Sequence, residues 1–328
     1  MSQFRRDPLS GRWFVLAAER HGRPQVDEPR ECPFCPGHEA ETTGEVLRYD
    51  DPAGAWAVRI VPNKFADLAD PADPAEEAGD ALHRHKASAG FADVLIESPD
   101  HDATFASHPP EQATLVVRAM QERYRHLATV PGVAVIMPFR NYLPESGASL
   151  RHPHGQILAS SHLPPVIAAE VASFAAAGRC LGCELAAVEG DGPRAIARVE
   201  NVMLMTPYAS RSAYEILLLP LDHAPDFTGA DPVALAAALQ DGYRRLAAVL
   251  GDVPTNLWIH CRPLRETGEF HWHAHLIPRI TVEGAWELGT GLAVNSVPPE
   301  RAAADLRSRG RPVRPETLVQ PEQRTDRA

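Results

Sequence analysis

Ser149-Leu150-Arg151-His152-Pro153-His154-Gly155-Gln156-Ile157-Leu158-Ala159 places His152, His154 and Gln156 at alternate positions and ends in an apolar run. Side chains alternate along a strand, so in an extended chain all three share one face. An imidazole is the usual metal ligand near neutral pH and also a competent covalent nucleophile, so two of them can divide those tasks. On this reading His152 holds a metal and His154 attacks phosphorus. An isolated His-Pro-His on a half-exposed strand is an ordinary feature, so the weight falls on what surrounds it.

Upstream, Trp13 to Ala17 reads as a short strand followed by a polar loop carrying Arg20 and Arg23, two cations able to grip phosphate or simply to be solvated. Cys32-Pro33-Phe34-Cys35 is a knuckle-like turn. A strand from Trp56 to Val61 then leads into Pro62-Asn63-Lys64-Phe65. Residues 68 to 90, rich in Ala, Asp, Glu and Pro, predict a mobile surface loop without chemistry. Beyond it come a strand from Asp93 to Glu97, then His101 and Phe105. A helix opens at Pro109-Pro110 and runs to about Thr129, with Leu115, Val116, Met120, Tyr124 and Leu127 near helical spacing. Strand Val133 to Phe139 precedes Asn141 and the loop that delivers the histidine stretch.

The second half repeats this plan. Cys180-Leu181-Gly182-Cys183 answers the first Cys-x-x-Cys, strand Tyr214 to Leu219 leads into His223, and Phe227 follows His223 by four residues as Phe105 follows His101. A second helix opens at Pro232, nine residues after His223, as Pro110 lies nine after His101. Strand Leu257 to Ile259 then precedes His271-Trp272-His273-Ala274-His275, which pairs His271 with His152, His273 with His154 and His275 with Gln156. The expectation is two tandem copies of one α+β unit, residues 1–170 and 171–328, built on mainly antiparallel sheet with a helix packed on it in each copy. The Arg-, Pro- and Glu-rich tail beyond Arg307 is expected to fray.

Cys32, Cys35, His101 and His152 make a Cys₂His₂ set that suits tetrahedral, structural zinc. A redox role for Cys32 and Cys35 lacks the helix and strand setting it needs. In the second copy Cys180, Cys183 and His223 recur, with His271 or His273 as fourth ligand. Raw spacing favours His273, the pairing of the triads favours His271, and the pairing is preferred because loop lengths drift more easily than strand register. Glu170, His260, His273 and His275 form a different set, suited to zinc or iron. Cys261 reads as an inert buried thiol.

The chain has 328 residues, 44% of them hydrophobic and 23% charged, with no apolar run long enough to span a bilayer. A soluble protein is expected. No apolar leader follows Met1, so a cytoplasmic location is expected as well. A formal charge of -11 argues against a broad basic face for nucleic acid while leaving room for a small phosphate pocket.

With these residues in place the chain resembles the galactose-1-phosphate uridylyltransferase family, a branch of the histidine-triad superfamily, from about Arg5 to Arg307. The resemblance implies two histidine-triad-like repeats and a nucleotidyltransferase that passes a nucleoside monophosphate from a nucleoside-diphosphate sugar to a sugar 1-phosphate through a covalent nucleotidyl-histidine, here His154. It places structural zinc on Cys32, Cys35, His101 and His152. Phosphate contacts fall on Gln156 and Ser149, nucleotide contacts on Asn63 and Asn141, and phosphate-gripping loop arginines on Arg20 and Arg23. For the second metal, zinc or iron, the enterobacterial type of enzyme uses a Glu and three histidines, matching Glu170, His260, His273 and His275. Relatives of the plant-type ADP-glucose phosphorylase match Cys180, Cys183, His223 and His271, the preferred set. Trp286-Glu287-Leu288-Gly289-Thr290-Gly291 also resembles that branch and makes Glu287 a sugar contact. A homodimer is implied, each site completed by the partner. The leading activity is UDP-glucose:galactose-1-phosphate uridylyl transfer. The alternatives are an ADP-glucose phosphorylase-type enzyme and a hydrolase using the second-half triad. Arg151 stands where uridylyltransferases generally carry proline or a small residue, which weakens a direct transfer of sugar specificity.

Overall fold

The computed structural model describes residues 2–17, 32–66, 68 and 77–308. Its first half runs β1 (Gln3–Arg6), β2 (Trp13–Leu16), β3 (Leu47–Asp50), β4 (Trp56–Pro62), β5 (His85–Ala87), β6 (Gly90–Ile96), α1 (Pro110–Ala128), β7 (Val135–Tyr142) and β8 (His154–Ser160). Two helices, α2 (Pro165–Ala177) and α3 (Leu181–Glu189), lead into the second. There follow β9 (Ala195–Val199), β10 (Val202–Met205), β11 (Ile216–Pro220), α4 (Pro232–Leu250), β12 (Thr255–His260) and β13 (His273–Pro278), then α5 (Ala285–Thr290) and α6 (Pro299–Ser308).

Ten strands form one sheet in the order β3-β4-β6-β8-β7-β12-β13-β11-β10-β9. Read outward from the β7–β12 seam, both sides carry the same sequence of elements, the last two strands of each unit inside and its first three outside. Every pairing is antiparallel. The α+β architecture of two histidine-triad-like halves is therefore one continuous sheet, with Phe139 opposite Trp258 at the seam.

Strand alternation decides what each face carries. Ile136 of β7, Ile157 and Ala159 of β8, Leu257 and Ile259 of β12, and Ala274 and Leu276 of β13 belong to the main core. Helices α1 and α4 cover that face, burying Ala113, Val116, Val117, Met120, Tyr124 and Leu127 of α1 at the i, i+3, i+4 spacing of an amphipathic helix. Residues of opposite parity project from the other face, away from α1 and α4: Asn141, His154, Gln156, Asn256, Trp258, His260, His273 and His275. The polar chemistry is thus segregated by period alone.

The halves are also stitched on the helical side. Gln121 of α1 donates to the carbonyls of Phe227 and Ala230, both at 2.9 Å, and Gln240 of α4 donates to those of Phe105, at 3.0 Å, and His108, at 2.8 Å. Arg125 reaches the Thr228 carbonyl and Arg244 the Ala106 carbonyl in the same reciprocal way. Each pair keeps the spacing of His152 and His271 (240 − 121 = 244 − 125 = 271 − 152).

Several expectations shift. β8 starts at His154, so His152 lies in the preceding turn and only His154 and Gln156 share the strand face. Proline at 153, with no N–H to give a ladder, marks that start. Within the expected loop, His85–Ala87 is a strand that pairs with β1, and Gly90 already belongs to β6. Tyr214 adopts φ +60°, which postpones the expected strand to Ile216. Helices α2 and α3 add to the single helix expected per copy, and residue 170 falls inside α2. Ala-rich segments give little periodic contrast, and only Ile167 and Phe174 of α2 are buried. The tail beyond 308 lies outside the described residues.

Replacing Gln240, 2% exposed, by Leu leaves two buried carbonyls unpaired. The expected cost is about 3 kcal/mol of unfolding free energy, measured by urea denaturation. A change below about 0.5 kcal/mol would show that those carbonyls do not depend on the amide.

Candidate active site and metal centres

The turn Cys32–Cys35, the loop after β6 and the turn before β8 bring Cys32, Cys35, His101 and His152 together, with ligand atoms within 4.8 Å of one another. Cys35 Sγ lies 3.3 Å from His101 Nδ1 and 3.7 Å from His152 Nδ1. Tetrahedral zinc with sulfur and nitrogen ligands has ligand–ligand edges of about 3.6 Å, so the donor set fits. His152, fully buried, donates its Nε2–H to the Ser98 carbonyl at 2.7 Å, which leaves the Nδ1 lone pair facing the thiols. Burial pushes His152 down to about 4, keeping it neutral near pH 7. The Cys35 thiol is pushed up to about 11 by burial and by Cys32 beside it. A bound cation reverses that preference and makes the thiolate the stable form.

His154 sits two residues on. Its Nδ1 lies 2.8 Å from the His152 carbonyl, so that nitrogen carries the proton and Nε2 carries the lone pair. Beside it opens a cleft lined by Phe34, Glu41, Thr43, Asn63, Lys64, Ser149 and Gln156 among others. Phe34 packs edge-on to the His154 ring at 5.5 Å. Beneath the strand, Glu97 stands 3.7 Å from where a Gly155 Cβ would lie, and Arg140 Nε donates to it at 2.8 Å. Burial opposes the Glu97 charge, but the Arg140 guanidinium outweighs it and holds the carboxyl well below the usual range.

The second half repeats the first cluster. Cys180, Cys183, His223 and His271 converge, with Cys180 Sγ 3.3 Å from His271 Nδ1 and 3.2 Å from His223 Nδ1. His271 Nε2 meets the Pro220 carbonyl at 3.0 Å, and burial lowers its pKa to about 4. His273 Nδ1 in turn meets the His271 carbonyl at 3.0 Å, as His154 does that of His152. The two halves diverge at Nε2. Glu170 of α2 lies 3.8 Å from His273 Nε2 and 2.9 Å from His260 Nδ1, making a third group with metal-ligand geometry. Burial opposes the Glu170 charge, yet hydrogen bonding to His260 and His273 holds its pKa near 2. The cysteine and glutamate sets, read from sequence as competing answers, are both assembled, with His271 in the first and His273 in the second. His275 is not a member of the third group: its ring lies edge-on to His273 and His260, while its Nδ1 is 2.7 Å from Glu215 Oε1 and its ring stacks on Trp258.

Of the residues expected at the site, Ser149, Gln156 and Asn63 line the cavity with His154. Asn141 is not among the lining residues; it lies on the same sheet face beside them. Glu287 lies in another cleft with Arg211, Ser212 and Arg279, outside the His154 cavity of its own chain. Arg20 and Arg23 lie outside the described residues. Phe34, Thr43, Lys64 and Phe65 were not singled out as pocket residues by the sequence, although Phe34 sits inside the first knuckle and Lys64-Phe65 directly follow Asn63.

Compared with known proteins, residues 3–164 match the family model described as galactose-1-phosphate uridyl transferase, N-terminal domain. An ADP-glucose phosphorylase of Arabidopsis thaliana is 28% identical over 93% of this chain and 92% of its own. A galactose-1-phosphate uridylyltransferase of Streptomyces lividans is 30% identical over 93% of this chain and 86% of its own. The crystal structure of an Arabidopsis thaliana ADP-glucose phosphorylase with bound ADP-glucose superposes with a TM-score of 0.75 at 28% identity, covering 94% of this chain and 98% of that one.

Gly182, inside the second knuckle, has no room for a side chain: a Cβ there would stand 2.4 Å from His271 Cγ. Gly182→Ala is therefore expected to displace His271 and to cost about one equivalent of bound zinc in protein purified with that metal. Elemental analysis against Cys35→Ser, which should empty the first cluster, separates the two losses. Full zinc content in Gly182→Ala would show that the His271 ring does not need this close approach.

Proposed function

The chain belongs to the galactose-1-phosphate uridylyltransferase family of nucleotidyltransferases, and from that premise we propose that it transfers a nucleoside monophosphate between a hexose 1-phosphate and a second phosphate acceptor through His154. The observation that carries the proposal is the His154 ring, proton fixed on the His152 carbonyl and Nε2 lone pair beside the cavity. In the first step Nε2 attacks the α-phosphorus of a nucleoside-diphosphate sugar. The bond from phosphorus to the bridging oxygen breaks, and the sugar 1-phosphate leaves with its electron pair. In the second step an acceptor phosphate oxygen attacks the same phosphorus, breaking the P–N bond and returning the lone pair to Nε2.

Gln156 and Ser149 supply donors toward the phosphoryl oxygens, where each preorganised donor is worth about 3 kcal/mol in the transition state. Gln156 is an amide and offers no proton relay to water, which favours transfer over hydrolysis. The two Cys₂His₂ groups would hold structural zinc, bracing the turns from which His154 and His273 depart. The Glu170, His260 and His273 group would hold zinc or iron. Glu170 in front of His273 Nε2 weighs against a second-half hydrolase.

For the donor we favour a uridine diphosphate hexose with hexose 1-phosphate as acceptor, in line with the Streptomyces lividans relative. A second reading, ADP-glucose with inorganic phosphate, is favoured by the second cysteine cluster and by the Arabidopsis thaliana relative. We also propose a cytoplasmic homodimer; the exposed Phe14, Val15, Trp286 and Leu288 supply apolar surface for pairing.

Intact-protein mass after brief incubation with UDP-glucose or ADP-glucose tests the proposal, with His154→Ala alongside. A nucleoside-monophosphate adduct on the wild type alone is expected, and its base names the donor. No adduct with either sugar, in protein loaded with zinc, would sink the reading.

A further inference from the structure

We infer that Asn256, supplied by the second half, is a positioning residue for the transfer centre of the first: it fixes the amide of Asn141 so that the NH2 group, not the carbonyl, is available beside His154. The inference rests on the transfer reading above and adds to it a residue that acts through Asn141.

Strand parity provides the placement. The pairing of β7 with β8 ends at Phe139 opposite Gln156, and Asn141, two residues further along β7, keeps the parity of Phe139 and so shares the face that carries Gln156 and His154. Residues opposite each other on an antiparallel ladder share a face, about 5 Å apart. Asn256 is the partner of Asn141 on the other side, across the seam in β12. His154, Asn141 and Asn256 therefore share one face, the one turned away from α1 and α4, across the seam between the halves.

Hydrogen bonding then sets direction. Asn256 Nδ2 lies 2.7 Å from Asn141 Oδ1 and 2.9 Å from the Ser146 carbonyl. A backbone carbonyl only accepts, so the group of Asn256 that faces it must be the NH2. The same NH2 faces Asn141, which must answer with its carbonyl. Its own NH2 is thereby turned the other way, to 3.7 Å from where a Gly147 Cβ would lie. The nucleotide phosphoryl held at His154 presents only acceptor oxygens. A donor there attracts them and a carbonyl repels them, and for a free asparagine side chain the two orientations differ by a flip.

The second bond steadies the loop that leads to Ser149. Leu143 adopts φ +68°, a conformation that disfavours a branched side chain by about 1–3 kcal/mol, and Gly147 adopts φ +91°. Ser146 Oγ donates to the carbonyls of Tyr142 and Leu143, and Asn256 holds the Ser146 carbonyl from outside. One amide thus fixes both the direction of the Asn141 donor, on the sheet face that carries His154, and the path of the chain into Ser149 of the cavity wall.

Single-turnover formation of the nucleotidyl-histidine, followed by mass in the full-length protein, tests this with Asn256→Ala, Asn256→Asp, Asn141→Ala and the double variant Asn141→Ala/Asn256→Asp. An aspartate at 256 cannot donate and draws the Asn141 NH2 toward itself. Asn256→Asp is expected to slow adduct formation at saturating donor about tenfold, with Asn256→Ala slowed less. Donor KM should move less than about threefold, and the double variant should be no slower than Asn141→Ala. Melting temperatures taken in parallel separate this from a general loss of structure, which would not produce non-additive rates. Adduct rates of both Asn256 variants within about twofold of wild type would overturn the inference. So would losses that multiply in the double variant. An absence of adduct in the wild type itself overturns the transfer reading and this inference with it.

Discussion

One carbonyl, that of His152, sets the chemistry of the cavity. It holds the His154 proton on Nδ1 and so leaves the lone pair on Nε2. Its own residue is fixed in turn, with Nε2 on the Ser98 carbonyl and Nδ1 among the thiols of Cys32 and Cys35. A tautomer in water interconverts freely; here it is dictated by backbone that a metal-type cluster holds in place. The imidazole proposed as nucleophile is therefore oriented by the turn before it, and the cluster acts on its direction through the backbone.

The same constraint was built twice and used differently. His271 repeats the bonds of His152, and His273 repeats that of His154. The difference lies in the surroundings of the second histidine. In the first half His154 lines a cavity with Gln156, Ser149 and Asn63; in the second Glu170, delivered by α2 from the connection between halves, stands by His273 Nε2. Reciprocal bonds from Gln121 and Gln240 across the helices, with the β7–β12 seam, make the two copies one body. A residue such as Asn256 can then serve the site of the other half without a flexible joint between them.

Much of this was legible in the sequence because it rests on period and repetition. The strand and helix periods of the histidine stretch and of α1 separate core from chemistry, and the recurring Cys-x-x-Cys, Asp-His and triad order pairs the halves before any coordinate is known. The choice between His271 and His273 was open, since loop lengths shift spacing by a residue or two; register resolved it. What escaped were features that depend on the third dimension alone. Helix α2 is rich in Ala and exposes most of its length, and α3 is only nine residues long, so they carry little pattern. Phe34, Lys64 and Phe65 belong to the cavity wall only because the turn and β4 end beside the same strand. The coexistence of two second-half ligand sets could not be read from a list of candidates that treats them as competitors for one ion.

Gln156 and His275 show how far apart the two copies have moved. They occupy equivalent strand positions, next but one to His154 and His273. A histidine at that place can take and give a proton, the property a hydrolytic site needs to activate water. In the half with the cavity the position is an amide, which can only form hydrogen bonds of fixed direction. Where the imidazole is kept, Glu215 binds its Nδ1 and Trp258 stacks on its face, while burial lowers its pKa against the pull of that carboxylate. An imidazole is thus missing from this strand position in the half that holds the cavity, and in the other half it is held between Glu215 and Trp258. An intermediate of the proposed transfer on His154 would then meet, at this strand position, an amide that stabilises charge in place of an imidazole that could direct water, with Glu41 the carboxylate on the cavity wall.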